Sequence, residues 1–384
     1  MINTVTLDVL VVYSSDTAKS ASVEDAQSKH PFLLTSKAAN YNLSYAYFLQ
    51  RCEKKGLMAG FTTSADIIGP GKCKSFWTFS SGKWKKMHKS AESTYIFDKV
   101  SPTSPKKAQA RQLLLSSKKV RSFNNVELLD LFSDKHLTYK KLSAYSIPTT
   151  VLRSQKVLDI ENAIEKLRTI IHSHPHSADF SSQIILKDRF GAGGNHVYKI
   201  DHNFVQEINA VMTKNPRIRF IIQPFLAFDK GFLYKNRRTS TDIRLIVHNN
   251  TVLQCYIRMA KKTDFRCNEH QGGQLEYVTQ KDIPNSIHIV SQEIIKKLNK
   301  PVSLFAIDFV ISNSGRPYFL EGNINPGLDW DINKKLNEKM SKELIRSIVD
   351  SIASGIHKFK LPTKFLPLPQ YSPLLFSGHP TYLS

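Results

Sequence analysis

The sequence is poor in cysteine, in long apolar runs and in acidic residues, and each shortage removes a class of protein. Its 384 residues include four cysteines, none of them in a CxxC pair. A disulfide framework and a zinc centre are therefore not expected, and a reducing, cytoplasmic location is predicted. No apolar run approaches the roughly 20 residues of a transmembrane helix. No basic stretch precedes the apolar run in MINTVTLDVLVVYSSD, which predicts a first core strand and not a signal peptide.

The shortage of acidic residues gives the chain a strongly positive charge. There are 54 lysines and arginines against 32 aspartates and glutamates, a formal net charge of +22. Such an excess favours an anionic partner: a nucleotide, an acidic peptide, nucleic acid or a membrane surface. Much of it lies between Lys72 and Arg121. A solvated basic face explains these runs equally well, so both interpretations stay open.

Strand and helix patterns alternate along the chain, and they predict an α/β (α+β) fold. We expect an N-terminal open α/β domain over residues 1–122, a central unit over 123–225, a C-terminal unit over 226–360 and a proline-rich tail over 361–384. A helix is predicted over residues 133–145 with Ser133 as its N-cap. A hairpin is predicted to turn at Asn249 and Asn250. The tail fits either disorder or a docking segment.

Two acidic residues lie among apolar neighbours in FAIDFVISNSGRPYFLEGNINPG, residues 305–327. A hairpin about Ser314 and Gly315 places Asp308 opposite Glu321, with Asn323 on the same face as Glu321. Two carboxylates at cross-strand distance repel unless a cation lies between them. Oxygen ligands of this kind suit Mg²⁺ or Mn²⁺. The simpler alternative is a surface hairpin whose acids face water.

A glycine-rich loop follows a predicted strand in IILKDRFGAGGNHVYKI. It places Lys187 before Gly191, Gly193 and Gly194. Glycines let the backbone approach phosphates and donate N–H groups to them, and a lysine adds positive charge. An ordinary hairpin loop would have the same composition. The segment GPGKCKS lacks the residues of a Walker loop.

The next strand, FIIQPFL, ends in Gln223, Pro224, Phe225 and Leu226. Such a segment can offer backbone groups to the edge of an adenine and side chains to its faces. A plain core strand is the alternative.

Buried arginines are predicted on the hairpin after it. Arg244 and Arg258 alternate with apolar residues, which places them in a cleft or interior, and Asn268 follows shortly. A buried arginine needs an anion, and phosphate matches its geometry. The alternative is internal ion pairing with Asp242 and the hairpin acids.

The order of these motifs, more than any one of them, carries a resemblance. Over roughly residues 124–331 the sequence resembles the ATP-grasp superfamily, and within it the glutathione synthetase and RimK-type branch. The resemblance rests on five segments: NNVELLDLFSDKHLTYKKLSAYSIPTT, IIQPFLAF, DIRLIV, YIRMAKKTDFRCNEHQGG and AIDFVISNSGRPYFLEGNINPG. The resemblance implies an ATP-grasp fold preceded by an α/β domain. Lys99 stands where relatives often have an arginine.

The resemblance also implies a carboxylate–amine ligase that uses ATP and Mg²⁺ (or Mn²⁺) and works through an acyl phosphate. Lys135 and Lys187 would hold phosphates, and the glycine loop would form a lid. The hairpin residues Asp308, Glu321 and Asn323 would hold the metal. Arg258, with Asn268 near it, would steady the transferred phosphoryl group and the acyl phosphate. Arg244 is a second candidate for that role or for binding the substrate carboxylate, and Asp242 belongs to the nucleotide side.

Three alternatives remain at this stage. An ATP-grasp kinase acting on a polyanion could use the same nucleotide site, and a non-catalytic ATP-binding scaffold could keep the fold. A nucleic-acid binder would explain the charge, although no binding motif is present. The expected partners are an acidic small molecule or peptide and an amine donor. Charge reversal at Lys106, Lys107 and Arg111 would test the acidic partner.

Overall fold

The computed structural model describes residues 4–23, 29–102, 104–262, 264–301 and 303–360. The predicted tail, residues 361–384, lies outside them. The helices of this described part are α1 (Tyr41–Lys54), α2 (Pro105–Leu114), α3 (Val126–Ser133), α4 (Lys135–Leu142), α5 (Val157–His172), α6 (Phe204–Lys214), α7 (Asn285–Leu298) and α8 (Lys335–Lys360). The mixed α/β class predicted from the sequence is confirmed.

The first part of the chain builds two sheets. Its strands are β1 (Val5–Thr6), β2 (Val9–Tyr13), β3 (Ala59–Thr63), β4 (Ile67–Gly69), β5 (Lys72–Cys73), β6 (Phe76–Ser80), β7 (Lys83–Met87), β8 (Ala91–Glu92), β9 (Tyr95–Lys99) and β10 (Arg121–Ser122). As described, the larger sheet has the order β10-β9-β2-β3-β6-β7, and β2 pairs in parallel with both β3 and β9. The apolar run in β2 is buried between them, as an α/β domain requires.

The basic segment between Lys72 and Arg121 divides into two kinds of site. Lys83 and Lys85 lie exposed on β7, the edge strand of the sheet, where lysines are common because they oppose edge pairing. Arg111, by contrast, points inward to the buried carboxylate of Asp98, with Nε 2.5 Å from Oδ2. The excess charge is therefore only partly a solvated face.

The middle of the chain forms an antiparallel sheet covered by α5 and α6. Its strands are β11 (Thr150–Val151), β12 (Phe180–Asp188), β13 (Val197–Ile200) and β14 (Phe220–Leu226), in the order β11-β14-β12-β13 among the described residues. Apolar residues of both helices and of the sheet share one core cluster. This packing holds the end of β12, with Lys187, beside β14.

The helix predicted over 133–145 is wrong in its start and in its cap. Ser133 is the last residue of α3, and a new helix, α4, begins at Lys135. Asp134 between them has an extended backbone, and its side chain accepts the N–H groups of His136 and Leu137. A carboxylate that caps two N–H groups can start a second helix directly after the first.

The last part of the chain forms an antiparallel sheet that is covered on both faces. The strands of this part of the chain are β15 (Leu233–Tyr234), β16 (Arg237–Arg238), β17 (Thr241–His248), β18 (Thr251–Met259), β19 (Gln274–Val278), β20 (Leu304–Ile311) and β21 (Pro317–Asn323). The described order is β19-β18-β17-β20-β21, with β15 and β16 paired separately. One face packs on α3, α4 and α7, and the other on α8 and the N-terminal domain.

Both predicted hairpins of this sheet are confirmed. Asn249 and Asn250 have φ angles of 51° and 60°, as a tight turn between β17 and β18 needs. Asp308 lies opposite Glu321 in the pairing of β20 with β21. The division of the chain at residues 122, 225 and 360 stays a proposal, since α3 and α4 pack on the C-terminal sheet although they precede the central one.

Within the described residues, no helix combines the length and the apolar character that crossing a membrane requires.

Candidate active site

A cavity of about 1440 Å³ opens where the three parts of the chain meet. Among the residues predicted for a nucleotide or metal site, it is lined by Lys135, Lys187, Gly191, Gly193, Gln223, Arg244, Arg258, Asn268, Glu321 and Asn323. The structure therefore brings together residues that are up to 188 positions apart in the sequence, between Lys135 and Asn323.

Two lysines meet at one end of this cavity. Lys187 is buried near the end of β12, and burial, followed by the charge of Lys135, lowers its pKa to about 8. Lys135, the first residue of α4, donates a hydrogen bond from its ammonium group to the carbonyl of Gly191. Two like charges held close together are stabilised by an anion, so this end of the cavity suits phosphate.

The glycine loop, residues 189–196, connects β12 with β13 over the lysines. Gly193 and Gly194 have φ angles of 69° and 74°, which side chains other than glycine rarely adopt. A Cβ atom on Gly194 would lie 2.7 Å from Oδ1 of Asn268. The side-chain amide of Gln271 donates to the Gly193 carbonyl at 3.4 Å. Asn268 therefore lies against the glycine loop, and the segment that follows β18 meets the loop there.

A second, smaller cavity of about 120 Å³ lies beside the loop, and the predicted segment Gln223–Leu226 forms one wall. Its other walls are largely apolar, with Ile147, Ile185, Val310 and Leu320. The Gln223 amide donates to the Thr149 hydroxyl at 2.7 Å, so that side chain is held in place. An apolar slot with a strand backbone along it suits a flat heterocycle.

Charged residues of β17, β18 and β20 form a buried network. Arg244 faces Asp308 across the sheet, with Nε 2.6 Å from Oδ1. Arg258 binds both carboxylate oxygens of Asp242, at 2.7 and 2.8 Å, and also reaches Asp308 at 2.8 Å. The internal ion pairing that the sequence left open as an alternative is therefore present.

The pKa values in this network follow from burial and charge together. Burial alone would raise the pKa of Asp308, but the charges of Arg244 and Arg258 outweigh it and hold the pKa below its usual value. For Asp242 burial prevails over the charge of Arg258, and its pKa is raised.

These contacts correct the expectation that a cation is needed to offset the charge of Asp308. Asp308 is 1% exposed, does not line the cavity, and already accepts hydrogen bonds from arginine at both oxygens. Its burial is compensated by Arg244 and Arg258, and needs no metal ion or triphosphate. Direct metal ligation by Asp308 stays a prediction.

Glu321 and Asn323 do fit a metal that is shared with a phosphate. Both line the cavity; the Glu321 side chain is 25% exposed and its Oε1 lies 4.0 Å from Arg244. Oδ1 of Asn323 accepts the N–H of Asn325 at 2.8 Å and keeps a second lone pair. Within the described residues no group of three or more His, Cys, Asp or Glu side chains could hold a metal alone. Mg²⁺ takes few protein ligands and completes its shell with water and phosphate oxygens, so this donor set suits it.

The far half of the cavity was largely missed by the sequence analysis. It is lined by Tyr13, Tyr41, Lys99 and Asp329. Lys99 is buried and donates to the Pro326 carbonyl at 3.0 Å. Burial lowers its pKa to about 8 against the opposing charge of Asp329. A signal was available: β2 and β9 are parallel strands, and ligands bind at the carboxyl ends of such strands.

Comparisons with known proteins show the family and the fold of this chain. The model of the RimK-like ATP-grasp domain matches residues 133–348. The chain belongs to the RimK-like ATP-grasp family, and the predicted superfamily and fold are confirmed.

A probable alpha-L-glutamate ligase of Mannheimia succiniciproducens is 27% identical over 218 residues, 56% of this chain. The match spans 63% of that protein's length.

Solved structures show the same fold. D-alanyl-alanine synthetase A of Vibrio cholerae has a TM-score of 0.55 at 12% identity, covering 92% of this chain and 99% of that one. A RiPP-associated ATP-grasp ligase of Chryseobacterium gregarium, in complex with ADP and a leader and core peptide, has a TM-score of 0.54 at 15% identity. It covers 91% of this chain and 97% of that one.

Proposed function

We propose that the protein is a carboxylate–amine ligase that forms an amide bond and converts ATP to ADP and phosphate. One observation carries the proposal. Paired lysines, a buried arginine network and the half-buried carboxylate of Glu321 line one cavity, next to an apolar slot of the kind that binds adenine. Family membership and the likeness to a probable glutamate ligase support this activity.

The residues divide into binding and charge-neutralising roles. Lys135 and Lys187 hold phosphates of ATP, and the glycine loop covers them and excludes water. Arg244 and Arg258 face the position of the transferred phosphoryl group, with their guanidinium groups already oriented by Asp308 and Asp242. Asn268 lies against the loop at the same place.

Glu321 and Asn323 would hold Mg²⁺ together with phosphate oxygens. The ion would neutralise negative charge on the triphosphate.

The reaction has two steps, and each forms one bond and breaks another. A substrate carboxylate oxygen attacks the γ-phosphorus, and the bond to ADP breaks. The amine nitrogen then attacks the acyl carbon, phosphate leaves with the former carboxylate oxygen, and the nitrogen loses a proton. The chain's part is to align these groups and to exclude water from the acyl phosphate.

The far half of the cavity suits the second substrate. The Lys99 ammonium group donates to the Pro326 carbonyl, and the adjacent carboxylate of Asp98 is paired with Arg111. Lys99 can therefore bind a substrate carboxylate. Asp329, beside the hydroxyl of Tyr41, can receive an amine; burial and then the charge of Asp329 raise the pKa of that tyrosine. We propose an amine that is presented between these two charges.

Phosphate release from ATP with Mg²⁺ tests the proposal. Pools of amino acids and acidic peptides serve as acceptors, products are identified by mass, and Glu321→Gln is the matched variant. A ligase gives acceptor-dependent ADP and phosphate, and a product lighter than its two parts by one water. A phosphorylated acceptor would indicate a kinase instead. ATP binding without turnover against every pool would favour a scaffold.

A further inference from the structure

We infer that Asp134 and Arg189 form a clamp that fixes the base of the glycine loop to the start of α4. The clamp thereby sets the separation of Lys135 and Lys187. Both residues act by positioning the lysines, and this inference rests on the proposed nucleotide-binding function.

The pair is a two-point ion pair and is well shielded. Nε of Arg189 lies 2.7 Å from Oδ1 of Asp134, and Nη2 lies 2.5 Å from Oδ2. The two side chains are 21% and 8% exposed. Paired guanidinium–carboxylate bonds fix direction as well as distance, which a single contact does not. Exposed ion pairs are usually weak, but this one is neither exposed nor single.

Two further bonds join the same segments. The backbone N–H of Lys135 donates to the carbonyl of Arg189 at 3.0 Å, and the Lys135 ammonium donates to the carbonyl of Gly191. Residues 134 and 135 are therefore tied to residues 189 and 191 by side chain and backbone alike.

The clamp connects α4, which packs on the C-terminal sheet, with the central sheet. The apolar side of α4, with Leu142, packs in the core of the C-terminal sheet, while β12 and Lys187 belong to the central sheet. Lys187 is held by its strand and Lys135 by its helix. Their like charges repel, and this repulsion contributes to the lowered pKa of Lys187. An attractive link between α4 and the central sheet opposes that repulsion before a phosphate arrives.

The tip of the loop is held more weakly than its base. The Gln271 amide reaches both the Gly193 carbonyl and Oδ1 of Asn195, each at 3.4 Å. Gly193 and Gly194 supply the backbone freedom for the tip to move. The clamp therefore leaves residues 192–195 to move over a nucleotide while the base of the loop, residues 189–191, stays in place with the end of β12.

Substitutions can distinguish the role of Asp134 in the clamp from its role as the N-cap of α4. Asp134→Asn keeps a good N-cap for α4 but removes the charge that Arg189 binds. Arg189→Ala removes the clamp from the other side, and Arg189→Lys restores the charge without the two-point geometry. Arg168→Ala is a control, since Arg168 is 63% exposed and pairs with Glu165 at 3.5 Å.

The experiment measures the Kd of a fluorescent ATP analogue with Mg²⁺, and the KM for ATP and kcat where an acceptor is known. We expect Arg189→Ala and Asp134→Asn each to weaken binding about tenfold, with the double variant no weaker than either single one, as for one shared interaction. KM for ATP should rise while kcat stays within about threefold. Arg189→Lys should recover part of the loss, and Arg168→Ala should bind as the wild type does.

Unchanged binding in Arg189→Ala, or fully additive losses in the double variant, would overturn the clamp. Circular dichroism and thermal melting of each variant separate a loss of binding from a loss of folding. If the wild type binds the analogue and yet ligates nothing, the proposed ligase activity fails while the clamp is still tested. If the wild type does not bind it, both proposals are refuted.

Discussion

Arg244 and Arg258 donate hydrogen bonds to one carboxylate, that of Asp308, from adjacent strands of the C-terminal sheet. Asp242 occupies the other side of Arg258, so two arginines and two aspartates balance one another in the interior. Both guanidinium groups also line the cavity. The aspartates thus hold two cations in fixed directions at a surface that a polyphosphate can reach, which lowers the cost of reorganisation on binding.

The first prediction concerns the stability of this network. Asp308→Asn should lower the free energy of unfolding by about 3–5 kcal/mol, because it leaves two buried guanidinium groups without their shared anion. Denaturant unfolding of the nucleotide-free protein measures the change. A loss below about 1 kcal/mol would show that the arginines find other partners, and the Asp308 pairing would then not be what stabilises them.

Glu321→Gln should leave the stability of the fold nearly unchanged and should impair turnover. Its side chain faces the cavity, so its loss should change the free energy of unfolding by less than about 0.5 kcal/mol. Turnover should fall at least about a hundredfold, since one of two protein ligands of the ion is lost. Denaturant unfolding measures the change in stability, and ADP production measures turnover. Thermal melting with and without MgATP then tests whether Glu321 helps to hold the ion. Full stabilisation of the variant by MgATP would refute a metal-holding role for Glu321.

The binding of ATP should weaken at alkaline pH. The pKa of Lys187 is about 8 in the nucleotide-free protein, whereas phosphates favour its charged form. Its charged fraction falls from about nine tenths at pH 7 to about one tenth at pH 9, so the Kd for ATP should rise about tenfold over that interval. Lys187→Arg stays charged and should show a flat profile. A wild-type Kd that is equally flat would contradict the prediction.

The lowered pKa of Lys187 also affects the folding of the nucleotide-free protein. Here a rise in pH is favourable, whereas for ATP binding it is unfavourable. Between pH 8 and 10.5 the unfolded chain binds more protons at Lys187 than the folded chain does. This lysine therefore makes unfolding less favourable as the pH rises through that window.

Asp329→Asn should impair the use of the amine substrate and leave ATP binding intact. Removing the carboxylate beside Tyr41 takes away the acceptor that we propose for an ammonium group, and the KM for the amine should rise about tenfold or more. Steady-state kinetics with each substrate varied in turn distinguishes the two sites. Asp350→Asn is the control, because Asp350 pairs with Lys55 at the surface and is 51% exposed. An equal rise in the KM for ATP would place Asp329 in the nucleotide site instead.

Charge reversal in the basic segment should have different effects at different positions. Arg111→Glu would set a second carboxylate against the buried Asp98 and should cost about 3–5 kcal/mol of stability. Lys106 is exposed, so Lys106→Glu should leave stability unchanged. Lys106→Glu is therefore the cleaner test of an acidic substrate: a raised KM for it supports the idea, and an unchanged KM counts against it.

Local sequence was enough to predict the pairing of Asp308 with Glu321 and the turn at Asn249 and Asn250. In a hairpin the turn residues fix the register, and the register decides which side chains face each other. Gln223 to Leu226 line one pocket together, since one strand supplies all four, and their role toward adenine stays a prediction. Family membership also followed from the sequence, because the order of its motifs is a property of the chain alone.

The tertiary structure decided which charges meet. Arg244 and Asp308 are 64 residues apart, and they touch because β17 pairs with β20, a choice made by packing of the whole sheet. Sequence could offer internal pairing only as one alternative to phosphate binding. Lys99 ends β9, whereas Asp329 lies in the segment between β21 and α8, and the two face one cavity only after the domains assemble. The sequence determines short-range pairing because backbone geometry limits it, whereas distant charges meet only where burial of the apolar core brings them.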